Sequence, residues 1–475
     1  MNQNPGFLAT PTVTATAIAT ATASAIIKPI ATRNSAHAAP DTCLHTLPNG
    51  VRALAIHQPW RQSVNLSVFI RAGSHHEPRR LNGISHVVEH MAFKGTHTRN
   101  CQQINLDAEC LGAEVNAHTD KDHTAFHIDG LAADLPAFVP MLADIVLNSS
   151  FPAEELERER QVILHEFTEF DEDPAAMALR LFDSACYGLH PAGQPVIGNR
   201  ANLKRFSRDD LQAWVAQHYT GHNVVVAVAG PVHAQDFVRL VEASFGSMPA
   251  GQPHTVSAPV WQGGVKQRRM AGSGQCQVVL GHDAPPLCDP EHLHWVLAAA
   301  LLGEGMSSPL LDELRERRGL AYFAGCSADI GALAGQFVIE AATAPEQAEE
   351  LLTEVARLLQ QQAGQIDAVG LERARRQLAV RALRALEQPT RRLESAVQDV
   401  FALGEVRDHA AWLQALNAVG PAQVREVFAW MQTRTAAVAL AGSVPARARD
   451  RALALFATSA AHAAAARVQH GTDGN

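Results

Sequence analysis

Gly83-Ile84-Ser85-His86-Val87-Val88-Glu89-His90-Met91 is the stretch from which the rest of the sequence is best read. On a helix, His86 and His90 stand about one turn apart, so both imidazoles leave the same face. Glu89 lies beside them. Two neutral imidazoles with a carboxylate between them suit a hydrolytic zinc site, which needs donors for the ion, a further ligand and a base for a water molecule. The order His-x-x-Glu-His is the reverse of the commoner His-Glu-x-x-His, with the same spacing of the histidines. In a chain with 23 histidines one pentapeptide does not decide the matter, so its surroundings must.

Residues 64–70 alternate apolar and polar side chains as a half-buried strand, ending at Ala72-Gly73, and Gly83 then opens the motif helix. Residues 124–128 read as another strand, 131–147 have helical spacing, and 154–170 form a charged amphipathic helix. The apolar run 224–229, stopped by Gly230-Pro231, suits a strand buried on both faces. Beyond a Pro/Gly-rich passage the plan repeats. Residues 277–280, 335–340 and 436–441 are strand-like, and 292–302 and 345–362 are helical. The pattern predicts an α+β fold of two homologous α/β-roll halves, antiparallel sheets with packed helices, arising from an internal duplication. The halves span 43–246 and 266–460, joined by a linker at 247–265. Only the first carries the histidine motif.

Composition narrows the class. The 475 residues are 47% hydrophobic and 18% charged, ordinary for a globular protein, and the net charge of -9 argues against a nucleic-acid partner. No apolar run approaches the roughly 18 residues of a membrane span. Seven cysteines without a Cys-x-x-Cys pair suggest reduced thiols, which favours a bacterial-type cytoplasm. Residues 1–42 include a Thr/Ala tract at 10–25 and read as a low-complexity, disordered leader; its shortage of acids leaves export or organelle targeting open. Residues 461–475 read as a flexible tail.

A third ligand is sought on the helix at 154–170, where a solvated face is the ordinary explanation of any one glutamate. Glu159 and Glu166 are seven apart and share a face, and Val162 and Ile163 beside it suggest that this face packs inward. Carboxylates turned toward a core need cations, and a zinc ion would be one.

The run His86-Val87-Val88-Glu89-His90-Met91-Ala92-Phe93-Lys94-Gly95-Thr96, followed by Glu159-Arg160-Gln161-Val162-Ile163-Leu164-His165-Glu166, resembles the pitrilysin (insulinase, mitochondrial-processing-peptidase) family of zinc metallopeptidases. Glu166 stands 76 residues beyond His90, as the family's distal glutamate does. The resemblance implies one zinc ion per chain on His86, His90 and Glu166, with Glu89 as general base and Glu159 supporting a ligand from behind. Asn116-Ala117-His118-Thr119 resembles the edge strand along which the family lays an extended substrate, which makes Asn116 and Ala117 substrate-binding by strand addition. His118 and His123 are expected to flank that strand. His190-Pro191-Ala192-Gly193-Gln194-Pro195-Val196-Ile197-Gly198 resembles a family loop taken as structural.

In the second half, Leu314-Arg315-Glu316-Arg317-Arg318-Gly319-Leu320-Ala321-Tyr322 resembles the family's Arg/Tyr element, which implies Arg315 and Tyr322 as groups that hold substrate and steady the oxyanion across a closed chamber. The implied activity is hydrolysis of a peptide or unfolded segment, either as general scavenging or as removal of a leader or presequence. Two halves are too few to close the family's four-domain chamber, which points to a homodimer, with a heterodimer of related chains as the alternative. A catalytically silent scaffold subunit of the same fold and a non-proteolytic zinc protein are the rival readings. His165-Glu166 with Glu169 only imitates a zinc motif, and His75, His76 and His97 are expected in exposed loops.

Overall fold

Each half is built around one sheet, and the structure, a computed structural model, describes residues 41–457. The leader expected over 1–42 lies, up to residue 40, outside the described residues, as does the tail expected over 461–475.

The first sheet contains β1 (Thr42–Thr46), β2 (Arg52–His57), β3 (Ser63–Ile70), β4 (Glu114–Thr119), β5 (Thr124–Leu131) and β6 (Val224–Gly230), in the order β1-β2-β6-β3-β5-β4. The second contains β7 (Gly264–Arg269), β8 (Cys276–Ala284), β9 (Phe323–Ile330), β10 (Gly335–Thr343) and β11 (Ala437–Gly442), in the order β7-β11-β8-β10-β9. Setting β2, β6, β3, β5 and β4 against β7, β11, β8, β10 and β9 superposes the two orders, with β1 the added strand. Neighbouring strands are antiparallel except β2 with β6 and β7 with β11, because β6 and β11 return to their sheets after long crossovers.

Five helices position the site: α1 (Ile84–Ala92), α2 (Ala153–Glu172), α3 (Pro174–Tyr187), α4 (His292–Gly303) and α5 (Pro389–Leu403). The halves exchange cover. From the first half, α3 lays Met177, Phe182, Ala185 and Tyr187 on Val279, Val338, Ala437, Ala439 and Ala441 of the second sheet. From the second half, α5 lays Leu393, Val397, Val400 and Phe401 on Leu54, Ile56, Phe69, Val225 and Ala227 of the first. This explains the unbroken apolar runs: Val224, Val226 and Val228 face the first half's own core while Val225, Ala227 and Ala229 face α5. Each buried Leu, Val or Phe contributes about 1.5–3 kcal/mol, so the exchange ties the halves together strongly. Among the described residues no helix is long and apolar enough to cross a membrane.

Candidate metal centre

The motif stretch is helical, as its spacing predicts, and α1 buries Ile84, Val87, Val88 and Met91 while His86, Glu89 and His90 stay partly accessible. Its start is fixed by a residue that the sequence did not single out. The buried Glu77 carboxylate accepts from the amides of Gly83 at 2.7 Å and Ser85 at 2.9 Å and from Asn82 Nδ2 at 3.0 Å. It thereby satisfies amide donors at the helix N-terminus that have no partner within the helix. Burial pushes this carboxyl up, against the pull of those donors. Gly83 has φ of 99°, and a side chain there would meet Ile197 O and Gly198 Cα at 2.9 Å, so the 190–198 loop and the start of α1 touch backbone to backbone.

The imidazoles of His86 and His90 meet at 4.6 Å between ring centres. Glu166, from α2, brings Oε2 to 3.7 Å from His86 Nε2 and Oε1 to 3.5 Å from His90 Nε2. One ligand atom from each of the three lies within 4.8 Å of the others. Burial, with His90 adding to it, pushes His86 down to about 3, so its ring is neutral and offers a lone pair. Burial raises the Glu166 carboxyl, and Glu89, Glu159 and Glu169 add to the effect against His90. This donor set suits zinc.

Behind His90, Glu159 Oε2 takes the Nδ1 side at 3.0 Å and Glu159 Oε1 accepts from Lys94 Nζ at 2.7 Å. A proton on Nδ1 leaves Nε2 free to bind an ion. Burial pushes the Glu159 carboxyl up, but Lys94 and His90 together hold it below its ordinary range. Lys94 is therefore the cation that pairs with the second carboxylate, Glu159. One expectation fails: Val162 is exposed, whereas Ile163 is buried. At about 100° per residue the packed stripe runs through Leu156, Ile163 and Phe167. Glu159 and Glu166 stand on its rim, and Val162 falls beyond them on the solvent side.

Glu89 is held from the sheet. Thr119 Oγ1, at the end of β4, donates to Glu89 Oε2 at 2.6 Å. β4 is the edge strand, so its outer side is unpaired, and the Ala117 amide donates to Asn116 Oδ1 at 2.8 Å. His118 lies on this strand and His123 in the turn that follows it. Strand alternation sends Ala117 and Thr119 toward α1 and His118 to the other face of the sheet. His75 and His76 are also not exposed: His75 Nδ1 lies 2.8 Å from Asp122 Oδ1, and His76 Nδ1 accepts from the Gly73 amide. His97 and His165 are exposed.

Arg315 and Tyr322 lie together in the second half. Both line one surface hollow with Gln275 and Ala342, Arg315 in a π-helical turn and Tyr322 84% exposed. Among the described residues no hydrogen bond or ion pair joins either one to His86, Glu89, His90 or Glu166.

Residues 52–200 match the family described as insulinase (peptidase family M16), and residues 205–378 match the domain described as the peptidase M16 inactive domain. The chain belongs to peptidase family M16. An uncharacterized zinc protease of Mycobacterium leprae is 33% identical over 341 residues, 70% of this chain and 76% of that one. The uncharacterized zinc protease YmxG of Bacillus subtilis is 29% identical over 406 residues, 84% and 99% of the two chains. The crystal structure of a protease from Helicobacter pylori shares the fold, with a TM-score of 0.78 at 22% identity over 84% of this chain and 99% of that one. The inactive-domain description suits the M16 second half. There α4 follows β8 as α1 follows β3, but it is buried on nearly every side and carries no His-x-x-Glu-His.

Proposed function

We propose that this chain is a zinc-dependent endopeptidase that cuts peptides, or the leader segments of longer chains, bound in extended form inside a closed chamber. The observation that carries the reading is the convergence of His86, His90 and Glu166 at one point with Glu89 beside them, held by the edge strand.

His86 Nε2, His90 Nε2 and Glu166 would hold a zinc ion, which would supply Lewis acidity for a water and for the scissile carbonyl. With Oε2 of Glu89 occupied by Thr119, Oε1 is free to take the water's proton and later to return one to the leaving amine. The substrate adds as a strand along β4, where Asn116 releases the Ala117 amide to the incoming backbone. Arg315 and Tyr322 donate to the substrate carbonyls and the oxyanion. Within one chain, among the described residues, this pair has no hydrogen bond or ion pair to the histidines, and the reading takes the active form as a homodimer in which each chain brings the pair to the other's site. Seven free cysteines suit a cytoplasmic setting.

The test is mass spectrometry of a peptide library digested with and without a zinc chelator. Internal cleavages that vanish with the chelator and return with added zinc are expected. Intact peptides under all conditions would remove the reading.

A further inference from the structure

The other face of the first sheet carries a second cluster of ligand-type side chains, which the peptidase reading leaves unused. In the antiparallel pairing His118 stands opposite Ala125, and His127 opposite Asn116 on one side and Ser67 on the other. These residues share the face covered by α5, where Ala125 and Phe69 pack against Leu393 and Val397, whereas α1 lies on the reverse face. His123 sits in the turn between β4 and β5, buried, and Glu394 extends from α5 beside Leu393.

His118 Nε2 and His123 Nε2 face each other at 3.2 Å, and Glu394 Oε1 lies 3.9 Å from His118 Nε2. One ligand atom from each of the three falls within 4.8 Å of the others, as at the first centre. We propose that His118, His123 and Glu394 form a second metal site, for a divalent first-row ion such as zinc or cobalt, that fastens the edge strand of one half to a helix of the other.

Three observations support it. Ligands of a tetrahedral zinc ion with bonds of 2.0–2.1 Å stand about 3.3 Å apart, which matches the gap between the two facing nitrogens. His118 Nδ1 lies 2.9 Å from His127 Nε2, and His127 Nδ1 lies 2.7 Å from Ser67 Oγ. Protons on both Nδ1 atoms run this chain outward to the serine, which leaves the His118 Nε2 lone pair aimed at His123, the usual outer support of a metal-binding imidazole. Glu394 adds the charge that a purely imidazole site would lack, and its partial exposure, like that of His118, leaves room for a water as fourth ligand. Imidazole with carboxylate selects zinc, cobalt, nickel or copper over calcium and magnesium. Without an ion, the same atoms make only a chain of hydrogen bonds between neutral rings.

A count of bound ions tests the site without recourse to activity. The full chain is stripped with a chelator and titrated with Co2+ or Zn2+ by equilibrium dialysis, the metal being read by mass spectrometry. The wild type is expected to take up about two ions per chain, His118→Ala about one, and His86→Ala about one, held at the second site. Glu394→Gln lies on a partly exposed helical surface and spares the histidines; it should weaken the second equivalent at least tenfold, and its result stands even if His118→Ala fails to fold. Uptake of about one ion by the wild type would overturn the proposal, as would undiminished uptake by both His118→Ala and Glu394→Gln.

Discussion

Thr119 Oγ1 donates to Glu89 Oε2 at 2.6 Å, so the edge strand and the zinc helix share one hydrogen bond at the proposed base. The bond fixes which carboxylate oxygen is free, and it couples the strand that would receive substrate to the group that would move the proton. Thr119→Val keeps the shape and removes the donor. It should lower kcat about tenfold, roughly 1.4 kcal/mol, with bound zinc unchanged. Turnover equal to wild type in a steady-state peptide assay would show that the bond has no part in positioning Glu89.

Lys94 holds Glu159, which in turn holds His90. Lys94→Met leaves Glu159 without its cation, and Glu159→Gln replaces the charged acceptor behind His90 Nδ1. Each should weaken zinc binding about 10- to 100-fold, as measured with a competing chromophoric chelator. Wild-type affinity in both variants would mean that the first three ligands orient themselves.

Among the described residues no hydrogen bond or ion pair joins Arg315 or Tyr322 to the histidines of their own chain, and their action on a partner's site can be tested by mixing. Glu89→Gln and Arg315→Ala chains are each expected to be inactive. Unfolded together and refolded as mixed dimers, they should regain activity, because one of the two sites then combines an intact Glu89 with the other chain's intact Arg315. No recovery beyond the separate variants would place the arginine in its own chain's site or outside catalysis.

The zinc helix was legible because its information is local: a one-turn histidine spacing survives any tertiary context. Glu166 was legible through the resemblance, and the 159/166 spacing set both carboxylates on one face. What escaped was long-range. Thr119 reaches Glu89 only because the β4–β5 hairpin folds back over α1, and Glu77 reaches the start of α1 across a short turn whose course no periodicity encodes. Val162 misled because an apolar residue beside two inward carboxylates looks buried until the true stripe, Leu156, Ile163 and Phe167, is known. The exchange of α3 and α5 was equally hidden, since an amphipathic helix declares an apolar face but not the sheet that receives it.

Burial alone pushes His282 from its ordinary 6.5 down to about 3. His76 and His127 are also pushed to about 3, mainly by burial. Between pH 6.5 and about 3 the unfolded chain therefore binds protons that the folded chain refuses, so these groups make stability fall as pH is lowered through that window. Urea unfolding across the upper part of the window should show the decline, and His282→Gln should flatten it. Parallel slopes for variant and wild type would contradict the assignment of His282 as a buried neutral ring.

The proposed base is tested most directly by assaying Glu89→Gln for peptide cleavage and bound zinc in the same preparation. Full zinc occupancy at His86, His90 and Glu166 is expected, with turnover reduced about a thousandfold, inside the usual range of roughly 10²–10⁴ for a positioned base. A variant that binds zinc and still cleaves at near the wild-type rate would contradict it.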